Sequence, residues 1–183
     1  MYDFYTTDEA VILAGSGNGS ESAPAALELV DGQPAIAKIA AKIMAAGIPK
    51  VYIATDRPEL YAGFRGFFPV KVSDPGPLAG IKAILEIAES YTLLVLSCDA
   101  PGITTDIVER LLVEAEKKPA QVICASTASG DHPLCSVVNR GILPSVDLAL
   151  EENRPDVLEL FRSLDFRTVE FDDERPFKTS SRK

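Results

Sequence analysis

Residues 91–97 read Tyr-Thr-Leu-Leu-Val-Leu-Ser, and the four side chains from Leu93 to Leu96 are all apolar, with no polar alternation. A strand with one wet face alternates; a run without alternation must be covered on both faces, as in the interior of a parallel sheet. Residues 10–14, Ala-Val-Ile-Leu-Ala, form a second such run. Further strands are expected at 51–54, 69–72, 121–125, 134–139 and 167–171, alternating with helices at 34–46, 58–64, 78–89, 141–151 and 156–164. One more helix ends at Lys117 and is capped by Thr104 or Thr105. Pro34 near the start of the first helix and Gly47 just past its end are ordinary helix boundaries. Such alternation predicts the α/β class: a single Rossmann-like domain over 1–183, with a mainly parallel sheet and helices on both faces. The first few residues and the polar tail 178–183 read as disordered.

Composition narrows the function. The chain has 183 residues, 46% hydrophobic, enough for one substantial core. Its net charge is −9, from 27 acidic and 18 basic residues, which argues against a nucleic-acid or membrane-surface binder. Cys98, Cys124 and Cys135 are odd in number and lack zinc-site spacing, so they read as buried thiols of a reducing cytoplasm. The N-terminus has no basic segment followed by an apolar one, and no apolar run approaches the ~20 residues of a membrane span. A cytoplasmic location is expected.

The apolar run 10–14 breaks directly into Gly15, Gly17 and Gly19. Glycines after a buried strand make a loop whose main chain can approach a ligand, and phosphates are commonly held by such N–H groups. The loop is not a P-loop, since no Gly-Lys-Ser/Thr follows, and its third glycine comes one position early for a dinucleotide fingerprint. No Lys or Arg precedes Lys38. Residues 15–20 are expected at the mouth of the main cleft, and poorly ordered without ligand.

Asp99 is delivered by the most apolar strand, and Pro101 closes the turn after it. A carboxylate fixed there can hold Mg²⁺, which takes one or two carboxylates and keeps waters and substrate phosphates; the other reading is a turn or helix-cap residue. Asp74 opens Asp-Pro-Gly-Pro-Leu-Ala-Gly80, which either lines the same mouth or is only a tight strand-to-helix link. His132, the only histidine, reads as a surface or hydrogen-bonding residue, so a Ser/His/Asp or Cys/His relay has no support. No catalytic residue is assigned.

Taken in order, Val11–Gly15, Asp31-Gly-Gln-Pro34, the 74–80 turn, Cys98-Asp-Ala-Pro101, Asp131-His-Pro-Leu-Cys-Ser-Val-Val-Asn-Arg140 and the acidic segment before Phe177 resemble the molybdenum cofactor guanylyltransferase family. The resemblance spans nearly the whole chain. It implies a glycosyltransferase-A-like nucleotidyltransferase fold, with GTP and the molybdopterin cofactor as partners, Mg²⁺ as cofactor, and GMP transfer with release of pyrophosphate. It carries nucleotide binding to Leu13, Ala14, Gly15, Asp74 and Asp99, and metal binding to Asp99.

Other family positions are changed. The loop Arg falls near residues 19–21, which end in Glu21, and the loop Lys falls at Ala25 or Ala26. The nucleotide-contacting Asn aligns with Ala54, and the closing Asn-x-Asn segment appears as Lys178-Thr-Ser-Ser-Arg182. Three readings follow. The chain is a nucleotidyltransferase that recruits cations elsewhere (Arg57, Lys71, Lys82 or a partner protein), or a non-catalytic accessory or binding protein on the same fold. The third is a transferase that uses CTP or UTP and another acceptor. Nucleotide binding is expected to be weak in each.

Overall fold

The computed structural model describes residues 6–15 and 24–179. Along the chain come β1 (Glu9–Leu13), the hairpin of β2 (Leu29–Val30) and β3 (Gln33–Pro34), α1 (Ala35–Ala45), β4 (Lys50–Thr55), β5 (Phe67–Lys71), α2 (Pro77–Leu85) and β6 (Thr92–Ser97). There follow α3 (Thr105–Lys117), β7 (Val122–Thr127), β8 (Gly130–Asn139), α4 (Leu143–Glu151), α5 (Val157–Arg162) and β9 (Phe166–Glu170). Single 3-10 turns lie at Ala25–Leu27, Pro58–Tyr61, Arg140–Ile142 and Arg175–Phe177.

Seven strands form one sheet in the order β5-β4-β1-β6-β8-β7-β9. β1 lies parallel between β4 and β6, with Ile12 level with Ile53 on one side and Leu96 on the other. β8 pairs antiparallel with both β6 and β7, while β9 is parallel to β7. The mostly parallel α/β architecture is the one the apolar runs predict.

Both faces of the sheet are covered. Ala10 and Ile12 share a core with Ile36, Ile39 and Ile43 of α1 and Val108 and Leu111 of α3. Val11 and Leu13 share the other with Ile81 and Leu85 of α2, Val146 of α4 and Phe161 of α5. The period of two along β1 thus sends alternate apolar residues to opposite layers. Thr104 caps α3, its hydroxyl accepting from the Ile107 amide at 3.3 Å, and Asp156 caps α5 through the Glu159 amide at 2.8 Å.

Several elements differ from expectation; the helix expected at 58–64 is only the 3-10 turn Pro58–Tyr61. The helix expected to reach residue 89 stops at Leu85, because the buried Glu9 carboxylate takes the amides of Glu89 and Ser90 at 2.7 and 2.6 Å. The strand expected at 134–139 begins at Gly130: Pro133, Leu134 and Cys135 drop out of the β7 pairing between His132, level with Ala125, and Ser136, level with Cys124, while Cys135 stays paired with Leu96 of β6. Asp31 and Gly32, both with positive φ (52° and 81°), turn β2 into β3, a hairpin the apolar pattern does not signal. Cys98, Cys124 and Cys135 are buried free thiols, as expected. No helix among the described residues is long and apolar enough to cross a membrane.

Candidate functional site

Strand order reverses at β1: the chain moves out through β4 to β5, then returns to place β6 on the other side. Crevices beyond the carboxyl ends of strands at such a reversal are where ligands bind in open α/β sheets. Main-chain bonds extend the ladders past the strands, Ala14 N–H to the Ala54 carbonyl at 2.9 Å, Cys98 N–H to that of Leu13 at 3.1 Å and Val72 N–H to that of Thr55 at 2.8 Å. Gly15, Asp56, Ser73 and Asp99 consequently leave the sheet at one level.

A cleft of about 410 Å³ opens there. Leu13 and Gly15 line it from β1, Ala54, Thr55 and Asp56 from β4, residues 72–77 and Gly80 from the β5–α2 link, and Ser97, Cys98 and Asp99 from β6. Leu134 closes it from the part of β8 that drops out of the β7 pairing. Leu13, Gly15, Asp74 and Asp99, singled out from the sequence, meet in this cleft. Ala14 does not line it: the residue is 1% exposed and lies one step below the rim. Residues 16–20, and with them the expectation of a mobile loop, fall outside the described residues.

Local geometry explains each placement. Gly76 has φ of 93°, which favours glycine, and Pro77 begins α2, so Asp-Pro-Gly-Pro turns the chain sharply into the helix. Gly80 is required for close approach: a Cβ there would fall 2.8 Å from Leu13 Cδ2 and 3.3 Å from the Ala54 Cβ. The Asp99 amide donates to the Ser97 hydroxyl at 3.2 Å, which in turn donates to Asp99 Oδ2 at 3.4 Å. Asp99 is exposed at the end of a fully buried strand, a hard-oxygen donor of the kind Mg²⁺ takes singly or in pairs alongside phosphate and water. Among the described residues no cluster of three or more His, Cys, Asp or Glu side chains could hold a metal by itself. A Mg²⁺ ion that shares Asp99 with substrate phosphates fits this donor set.

The cleft is acidic. Asp56, Asp74 and Asp99 line it, and no described lining residue is Lys or Arg. Asp56 was not foreseen; its only signal is its place in Thr55-Asp-Arg-Pro58, a turn after an apolar strand. Of the cations expected to be recruited, Lys82 is engaged by Asp147 at 2.7 Å and Glu86 at 3.8 Å on the α2–α4 side. Lys71, on an edge strand, does not line the cleft. Ala25 and Ala26, where the loop Lys falls, are 8% and 0% exposed, and Ala26 belongs to the α1–α3 core.

His132 also lies off the cleft. Its Nε2 is 2.8 Å from the Thr127 hydroxyl, and its ring stacks on Phe177 with centroids 4.5 Å apart. Burial lowers its pKa, opposed by Asp131 and Glu174, so it is a packed hydrogen-bonding histidine. The Arg175–Phe177 turn that carries its stacking partner packs against the segment between β6 and α3: a Cβ on Gly102 would lie 3.0 Å from the Pro176 carbonyl oxygen.

A sequence profile of the MobA-like NTP transferase domain matches residues 10–167. A molybdenum cofactor guanylyltransferase of Vibrio parahaemolyticus is 29% identical over 127 residues, 68% of this chain and 65% of that protein. A probable molybdenum cofactor guanylyltransferase of Flavobacterium johnsoniae is 29% identical over 109 residues, 60% of this chain and 57% of that protein. The chain thus spans 57% to 65% of the length of these relatives, less than two thirds. Among solved structures, molybdopterin-guanine dinucleotide biosynthesis protein A of Archaeoglobus fulgidus superposes with a TM-score of 0.75 at 16% identity, covering 92% of this chain and 86% of that one. At that identity the likeness is one of fold.

Proposed function

Since this chain belongs to the MobA-like NTP transferase domain family, we propose that its cleft binds GTP and transfers GMP to the phosphate of a molybdopterin cofactor. The observation that carries this reading is the convergence of Gly15, Asp74 and Asp99, from three separate elements, on one cleft at the carboxyl ends of parallel strands. In the reaction an acceptor phosphate oxygen attacks the α-phosphorus of GTP. A new phosphoanhydride forms, the α–β bridge breaks, and pyrophosphate leaves with the electron pair. Such transfer depends on positioning and on neutralising charge. The main chain after Leu13 approaches the nucleotide, Asp99 would hold a divalent cation, and the α2 start at Pro77 shapes the wall. A bound Mg²⁺ would supply charge neutralisation on the phosphates.

A second reading, a binding or accessory protein that does not turn over, draws support from the three carboxylates and the absence of a cation among the described lining residues. Removing one charge-stabilising contact typically costs about 10²–10³ in rate. Weak GTP binding and slow transfer are therefore expected of the isolated protein. Isothermal titration of GTP with and without Mg²⁺, followed by an assay of GMP transfer to molybdopterin, tests both. Absence of Mg²⁺-dependent binding would remove the transferase reading; turnover at an ordinary ~1–10³ s⁻¹ would remove the accessory one.

A further inference from the structure

Arg57 has no role in the site as described, yet two of its nitrogens are in an unusual state. The residue is pinned to the end of β4, its amide donating to the Thr55 hydroxyl at 3.2 Å, and it precedes the Pro58–Tyr61 turn. Its Nε and Nη2 are buried and have no hydrogen-bond partner. A guanidinium keeps its charge and offers only donors, so N–H groups shut from water without an acceptor are costly. Nε and Nη2 form one edge of the group, the edge that grips two oxygens of a carboxylate or phosphate side by side.

Arg57 does not itself line the cleft, but it follows directly on two residues that do, Thr55 and Asp56. The phenol of Tyr61, fully buried, is pushed up to about 12 by burial and then by Cys98, with the Thr55 hydroxyl and Arg57 acting in the opposite sense. Thr55, Asp56 and Cys98 are all lining residues. A cleft with three carboxylates repels a polyphosphate unless a cation stands close. Lys82 is taken by Asp147, and the Lys42 ammonium donates to the Pro101 carbonyl at 3.2 Å.

We infer that Arg57 is the phosphate-binding cation of this cleft, its Nε–Nη2 edge taking oxygens of the nucleotide's polyphosphate. The inference rests on the nucleotide-binding reading above and adds the residue that supplies its missing charge. Because the fork is side-on, Arg57 discriminates by phosphate chain length, not by base.

The test is isothermal titration of GTP, GMP and inorganic tripolyphosphate into the unmodified protein and into Arg57→Gln, with thermal melting as the fold control. Charge-assisted contacts of this kind are worth about tenfold to a hundredfold in affinity. Arg57→Gln should weaken GTP and tripolyphosphate by that factor and GMP much less, and Arg57→Lys should recover part of the loss. Equal affinities in the unmodified protein and Arg57→Gln would overturn the assignment while leaving the nucleotide reading in place. Arg57-dependent binding of tripolyphosphate without binding of GTP would uphold the anion site and end the nucleotide reading; binding of neither would end both. If Arg57→Gln does not fold, the Arg57 Nε–H resonance of the unmodified protein is followed on adding tripolyphosphate. A shift supports the contact, and an unmoved resonance at saturation refutes it.

Discussion

The Cys98 amide donates to the Leu13 carbonyl at 3.1 Å, one step beyond the last paired residues of β6 and β1. That bond holds the two strand ends flush, so Gly15 and Asp99 emerge at the same level. The cleft is thus built from main-chain register, and side chains on its rim can change without loss of its shape.

Asp99→Ala is expected to leave the fold intact, with stability within about 0.5 kcal/mol of the parent, because the side chain is exposed. It should abolish the Mg²⁺-dependent part of GTP binding. Titration at several Mg²⁺ concentrations reads this directly; undiminished dependence on Mg²⁺ would remove Asp99 from the metal site.

Gly80→Ala should destabilise the protein by about 1–3 kcal/mol, the usual range for overpacking, since the new Cβ would press on Leu13 Cδ2. Leu13→Ala removes that obstacle, so the double variant should lose less than the two single changes added together. Urea denaturation of all four proteins gives the coupling. Strict additivity would mean that the pressure falls elsewhere, with the Ala54 Cβ at 3.3 Å as the next candidate.

The family alignment invites restoration of a loop lysine at Ala26, but the fold argues the reverse. Ala26 is 0% exposed within the α1–α3 core, so Ala26→Lys should cost about 3 kcal/mol or more by burying a charge without a partner. A drop in denaturation midpoint with no gain in GTP affinity is expected. A gain in affinity at unchanged stability would show that the 3-10 turn Ala25–Leu27 can open.

Acid stability should depend on Glu9. Burial pushes its carboxyl up, but the Ser90 amide, the Tyr52 hydroxyl and the Lys50 ammonium outweigh burial, and its pKa lies below the ordinary 4.5. A depressed folded-state value means that the contribution is complete above the unfolded-state value. It is lost as pH falls through the folded-state value. Glu9→Gln should lower stability at neutral pH, by about 1–3 kcal/mol for each buried donor left unsatisfied, and flatten the decline below pH 4.5. Chemical denaturation from neutral to acid pH would reveal it; parallel curves for the two proteins would contradict it.

The parts that were legible in the sequence are those fixed by local pattern. The unbroken apolar runs of β1 and β6 placed the sheet centre, and their ends placed Gly15 and Asp99. What the pattern missed has causes remote in sequence. α2 stops early because Glu9, on another strand, captures the amides that follow it. β8 starts early because a segment containing Pro133 drops out of the β7 pairing and lets the strand resume it, where the proline alone reads as an interruption. Asp56 and Leu134 reach the cleft through sheet position; Asp56 lies in no motif, and the 131–140 segment that holds Leu134 does not mark it as a lining residue. Arg57 was named among the available cations, but only burial of its nitrogens singles it out from Lys71 and Lys82.

The antiparallel β8 has a consequence for synthesis. β6 is buried throughout, and its second neighbour comes from a segment made only after α3 and β7, with Leu94 opposite Val137. A nascent chain that has passed α3 can already pair β6 with β1, yet the far side of β6 is an unpaired hydrophobic edge. Such edges recruit other chains. Interrupted translation or proteolysis between α3 and β8 should therefore yield fragments that aggregate, and a ribosome pause in that interval would be the most hazardous point in the life of the protein.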